Sequence, residues 1–163
     1  MYRFESTKTL NSNQKEAIRL LWNSEYPINI LHETIADTEQ YLNKLTDQNH
    51  TFVYDDSGNI IAWYFDFIRD QERNFAIVIS SEHQKKGLGI ELINQAKKNN
   101  SVLNGWVIIS QGHKKQDGKP YKLPLQFYQK LGFQTLQEEK EIHGLRLIKI
   151  RFEELFTDNK IQF

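Results

Sequence analysis

The stretch Ile77-Val78-Ile79-Ser80-Ser81-Glu82-His83-Gln84-Lys85-Lys86-Gly87-Leu88-Gly89 most narrows the folds open to this chain. Ile77, Val78 and Ile79 are apolar at consecutive positions, so that strand is buried on both faces, as in the middle of a sheet. Gly87-Leu88-Gly89 then opens a helical pattern reaching about Lys98, with Leu88, Leu92, Ile93 and Ala96 on one side. A second buried strand follows at 102–109. Strand, crossover helix and strand make a parallel βαβ unit of minimal size, and a chain built on it is an α/β domain.

No Pro/Gly/Ser-rich linker or internal repeat divides the chain, so 1–163 is read as a single domain around this unit. Residues 2–5 alternate as a short strand. Residues 11–22 carry a broad apolar stripe (Ala17, Ile18, Leu20, Leu21, Trp22) and predict a helix. A second helix is expected after Asp37 or Thr38, capped by Thr38, with Tyr41, Leu42 and Leu45 at helical spacing. Strands at 51–54 and 60–68 flank a turn in which Gly58 supplies a positive φ, and 74–79 is the next strand. After a long polar loop, 110–124, a short helix at 125–131 stops at Gly132. Residues 133–136 and 145–152 alternate as antiparallel strands, and 153–163 carry no assignment.

The chain is 39% hydrophobic and 12% aromatic, which supplies a core and excludes a disordered segment. Its 21 basic and 21 acidic side chains cancel, so no long-range field marks a dedicated nucleic-acid binder. The absence of cysteine removes disulfide and thiolate chemistry. Residues 1–5 lack the apolar core of a signal peptide, and no stretch suffices to span a bilayer. A cytoplasmic protein with no membrane partner is expected. His32, His50, His83 and His143 show no metal-ligand spacing, so no metal site is expected.

A Gly-x-Gly pair alone is weak, since about one is expected by chance in a chain of this length. Its position between a buried strand and a helix carries the argument. A helix N-terminus has unpaired N–H groups and the positive end of the dipole, and glycine lets an anion approach the backbone. Lys85 and Lys86 add positive charge. A dinucleotide turn needs a third glycine where Leu92 stands, and a P-loop needs a Gly-Lys-Ser/Thr ending that is missing.

The run from Ile77 to Gly89 resembles the strand and Gln/Arg-x-x-Gly-x-Gly/Ala turn of the GNAT acetyltransferases. Phe127-Tyr128-Gln129-Lys130-Leu131-Gly132-Phe133 is similar to that family's Tyr-x-x-x-Gly-Phe segment. The resemblance implies a GNAT-type fold: a mixed, mostly antiparallel sheet with a central splayed parallel strand pair, flanked by helices. It implies acetyl-CoA as cosubstrate, with the backbone of Ile77, Val78 and Ile79 on the pantetheine arm. Gln84, Lys85, Lys86, Gly87, Leu88, Gly89 and Ile90 would cradle the pyrophosphate.

The implied reaction is direct acetyl transfer to the primary amine of a small molecule or peptide, and the matching general acid is Tyr128. No carboxylate lies on the strand at 74–80, so the base is sought nearby. Glu82 just after the strand and His113 in the long loop, beside Asp117, are the candidates. Trp106 is read as a core or cleft-wall aromatic, and the loops at 24–37 and 110–124 as the acceptor pocket's walls. A homodimer is one state the family adopts. A non-catalytic acyl-CoA-binding or regulatory domain of the same fold is the alternative, because fold alone does not establish chemistry.

Overall fold

The computed structural model describes residues 1–155. In chain order the elements are β1 (Arg3–Thr7), α1 (Ser12–Glu25), α2 (Ile35–Asn43), β2 (Thr46–Tyr54), β3 (Ile60–Arg69) and β4 (Glu72–Ile79). They continue as α3 (Leu88–Asn99), β5 (Val102–Ile108), α4 (Leu125–Lys130), β6 (Gln134–Ile142) and β7 (Leu145–Glu153). One sheet runs β1-β2-β3-β4-β5-β7-β6. Each neighbouring pair is antiparallel except β4 and β5, which are parallel. The expected α/β architecture, with its mixed sheet and central parallel pair, is the one found.

Strand β2 begins at Thr46, five residues before the sequence reading, and α1 runs three residues further, to Glu25; two other differences have clear local causes. Helix α2 starts at Ile35, capped by Thr34 and not by Thr38. The Thr34 hydroxyl accepts the Asp37 N–H at 3.2 Å, and the Asp37 carboxylate accepts the Thr34 N–H at 3.0 Å. That is a capping box, four residues earlier than expected. Thr38 lies inside the helix, buried, with its hydroxyl 3.1 Å from His32 Nδ1. Strand β6 runs on to Ile142 because His143 and Gly144, at φ 47° and 82°, make a two-residue turn into β7. Its run of charged residues hid it; β6 is the sheet's edge, where charge is well tolerated.

The parallel pair is joined at one register position, Asn74 opposite Asn104. Polar groups hold that position together. Asn104 donates to the Arg73 carbonyl at 3.2 Å and accepts from Arg151 Nε at 2.7 Å. Arg151 also donates to the Glu72 carboxylate at 2.7 Å, and Lys149 binds the other Glu72 oxygen. Glu72 at the start of β4 is thus clamped to β7 across β5. Beside the clamp, Phe75 lies so close to Gly105 that a Cβ there would sit 2.8 Å from its ring. Past this point β4 and β5 diverge.

Apolar side chains cover both faces of the sheet. On one face Leu92 and Ile93 of α3 pack with Leu103, Tyr128, Phe133 and Ile150. On the other, Ile18 and Trp22 of α1 and Leu42 of α2 pack against Trp63, Phe65 and Phe67 of β3. Each face of the sheet is therefore packed against its own helices, and the parallel pair at its centre is paired at Asn74–Asn104 alone.

Glu72→Ala leaves Lys149, 9% exposed at its side chain, and Arg151 without this partner. The expected loss is about 2–3 kcal/mol of unfolding free energy, at or below the range for fully buried pairs because Glu72 is partly exposed. Urea unfolding of the variant against the parent measures it.

Candidate active site

The gap takes its polarity from strand alternation. Ser80 N–H donates to Ile61 O at 2.9 Å, which makes 80/61 a hydrogen-bonded pair between β4 and β3. With Val78 opposite Trp63 and Ile77 opposite Tyr64, bonding alternates along the ladder. The backbone of Val78 is therefore directed at β3, while Ile77 and Ile79 turn their N–H and C=O groups toward the gap. Of the three residues expected to meet a pantetheine arm, two present backbone groups there. Gln84 Nε2 donates to the Ile79 carbonyl at 2.9 Å from the gap side.

Next to the gap, the chain enters α3 through two left-handed residues, Lys85 at φ 63° and Gly87 at φ 85°. Helices α1 and α2 each begin with a full capping box, but α3 has no side-chain cap. Its first-turn N–H groups are left for an anion. The two glycines serve different ends. Gly87 supplies the positive φ, and a Cβ there would meet nothing within 4 Å. At Gly89 a Cβ would come within 2.9 Å of the Phe127 ring, so this glycine lets α4 close on α3. A cavity of about 460 Å³ runs along this loop, lined by Ile77, Val78, Ile79, Gln84, Lys85 and Gly87 among others. Lys86 and Ile90 are exposed, and Leu88 is buried in the core.

A second cavity, about 480 Å³, lies on the α1/α2 side of the sheet between β3, β4, β5 and the β6–β7 turn. Five residues line both cavities: Tyr26, Ile77, Tyr121, Pro124 and Tyr128. Tyr128 thus stands where the two spaces meet. Its ring is held edge-on by Phe75, Phe127 and Phe133 at centroid separations of 5.6, 5.2 and 5.7 Å. Burial, with the neighbouring Tyr121 hydroxyl, pushes the Tyr128 phenol well above its ordinary range, so it stays protonated. Burial raises Tyr26 and Tyr121 in the same direction.

Neither candidate base reaches this junction. Glu82 is exposed in the turn after β4 and lines neither cavity. His113 Nε2 is 2.8 Å from Ser110 Oγ and lies outside both cavities, as does Asp117, which accepts the Lys119 N–H at 2.9 Å. Among the described residues the one carboxylate at either cavity is Glu25. It accepts the N–H and hydroxyl of Ser81 at 3.0 and 2.7 Å and pairs with Lys115 at 3.5 Å. Glu25 therefore ties the exit of β4 and the 110–124 loop to the end of α1. That loop is anchored as a wall: Ile28 N–H donates to Lys114 O at 2.9 Å, and Tyr121 N–H to His113 O at 2.9 Å. Trp106 lines the second cavity, as a cleft-wall aromatic.

The model of the acetyltransferase (GNAT) domain matches residues 14–154, and the chain belongs to that family. Among solved structures, an acyl-CoA N-acyltransferase from Pseudomonas aeruginosa matches with TM-score 0.67 at 15% identity, over 93% of this chain and 99% of that one. A spermidine N-acetyltransferase from Vibrio cholerae, solved with CoA and spermine, matches with TM-score 0.65 at 18% identity, over 94% and 95%. A ribosomal-protein alanine N-acetyltransferase from Escherichia coli matches with TM-score 0.66 at 14% identity, over the whole of both chains. At these identities the likeness is one of fold. No curated protein matches the chain in sequence. Among the described residues no helix is long and apolar enough to cross a membrane, and no cluster of three metal-ligating side chains occurs.

Gly87→Ala places an L side chain in the left-handed region with space around it, so the cost is conformational, about 1–2 kcal/mol. The variant is expected to lose about that much unfolding free energy, as read by urea unfolding beside the parent.

Proposed function

We propose that this protein is an N-acetyltransferase that moves an acetyl group from acetyl-CoA to a primary amine of a small molecule or peptide. The carrying observation is the junction at Tyr128, where a cavity suited to the donor meets a separate one suited to an acceptor. On the donor side, the uncapped start of α3 and the Lys85 charge suit a pyrophosphate, and the Ile77 and Ile79 backbone groups suit the amides of an extended arm. Acetyl-CoA bound there supplies an acetyl thioester.

The residues at the junction then have defined tasks. Ile77 and Ile79 N–H groups, fixed in the gap, can polarise a carbonyl oxygen placed against them. Tyr128 keeps its proton at neutral pH; as the carbon–sulfur bond breaks it passes that proton to sulfur and takes the one leaving nitrogen in the same step, so no buried phenolate is left. Tyr26, Tyr121 and Pro124 keep water from the space where the two substrates meet. With no cysteine in the chain, no acetyl-cysteine can form, so the amine attacks the thioester directly in a ternary complex. No base is assigned among Glu82, His113 and Glu25, since the first two lie outside the cavities and the third is fully engaged. The amine enters neutral.

Tyr128→Phe keeps the ring packing and removes the proton donor. Its kcat is expected to fall about 100-fold in an assay of free coenzyme A thiol over a panel of amines, while acetyl-CoA still binds. Because the phenol is raised, the parent should show no falling limb near pH 10, where an ordinary tyrosine would ionise. A limb at that pH in the parent, or full activity in the variant, contradicts the assignment. Tight acetyl-CoA binding without turnover of any amine would favour a non-catalytic binding domain instead.

A further inference from the structure

The second cavity carries an unusual balance of charge. Among the described residues none that line it is acidic, and its formal cations are Arg69 and Lys140. Arg69 ends β3 and lies 5.3 Å over the Phe67 ring; Lys140 of β6 lies 4.3 Å over the Trp106 ring. Both rings belong to the floor of the cavity. The two side chains thus converge from opposite halves of the sheet onto one apolar surface.

Nearby carboxylates are already taken or turned away. Every other arginine of the chain pairs with a carboxylate: Arg3, Arg19, Arg73, Arg146 and Arg151. Arg69 and Lys140 form no ion pair among the described residues. On the same face Glu72 is bound by Lys149 and Arg151, and Glu138 lies 3.7 Å from Lys149. Asp70 follows Arg69 but is exposed in the β3–β4 turn and lines neither cavity. Burial, and after it the Arg69 charge, lowers the Lys140 pKa.

Resting on the acetyltransferase reading above, we propose that the acceptor carries an anionic group, carboxylate or phosphate, at the end opposite its amine. Arg69 and Lys140 bind the anion over Phe67 and Trp106, and the amine points to Ile77 and Tyr128. Phe67 is level with Asn74 on β4, three residues from Ile77, so amine and anion are roughly 10 Å apart or less. A polycation is disfavoured, because nothing in this cavity offers it a carboxylate.

The test compares 6-aminohexanoate, 6-aminohexyl phosphate, hexylamine and spermidine as acceptors with acetyl-CoA. Both anionic amines should exceed hexylamine at least tenfold in kcat/KM, with spermidine poorest, and the better anion identifies the group. Arg69→Gln and Lys140→Gln should each bring that ratio toward one, and Arg69→Glu should invert it in favour of spermidine. A parallel titration of 6-aminohexanoate and hexylamine into coenzyme A-saturated protein reads the same preference without turnover. Acetylation of hexylamine or spermidine as readily as the anionic amines, or a ratio untouched by these variants, overturns the inference and leaves the transferase reading standing. Preferential binding of 6-aminohexanoate with no acetylation of any amine upholds the charge selection and overturns the transferase reading.

Discussion

The clamp of Glu72 to Lys149 and Arg151, set beside the Asn74–Asn104 register, is the constraint on which the rest of the structure depends. A parallel pair that continued past this position would satisfy its own backbone and leave no gap. A pair held at no position would let the sheet fall into two. Ionic and amide groups fix one end, Phe75 fills the space over Gly105, and the far end is free to diverge. Unsatisfied N–H and C=O groups are costly when buried, so a gap lined by the Ile77 and Ile79 backbone is a surface in need of a polar partner.

The split also explains why one tyrosine touches two cavities. Tyr128 rises from α4 on the α3 side of the sheet, and only the divergence of β4 from β5 lets its surroundings open onto the α1/α2 side. Aromatic packing on three sides fixes its ring, and the burial that fixes it also keeps its proton on. Packing and acidity therefore have one cause. The same economy appears at Gly89, whose missing side chain brings Phe127 against α3 and so sets the tilt of the helix bearing Tyr128.

The βαβ unit was legible because its signals are local: three consecutive apolar residues, two glycines and a helical stripe. Gly58 and Gly132 likewise stand at the positive φ values their places predict. The turn between β3 and β4 was not legible, because Asp70 and Gln71 adopt φ 54° and 65° without a glycine to announce it. Strand β6 was read short, since its edge position lets charged residues stand where an apolar pattern would be sought. Both features bear on the second cavity, because Arg69 and Lys140 stand on these strand ends, while residues of 24–37 and 110–124, Asn29 and Tyr121 among them, also line it. Glu25 and Tyr26, too, gain a role only through tertiary contact. The glycine turn is contiguous in sequence; the second cavity is assembled from distant strands and loops.

In the proposed transferase the open end of the β4–β5 gap and the uncapped start of α3 together hold the acyl donor, and amide hydrogen exchange with and without acetyl-CoA measures this. Slowed exchange is expected at Ile77 and Ile79 and across residues 85–90, with Val78 unchanged because its N–H is already directed at β3. Unaltered exchange at those amides under saturating acetyl-CoA, or protection confined to another face of the sheet, would contradict it.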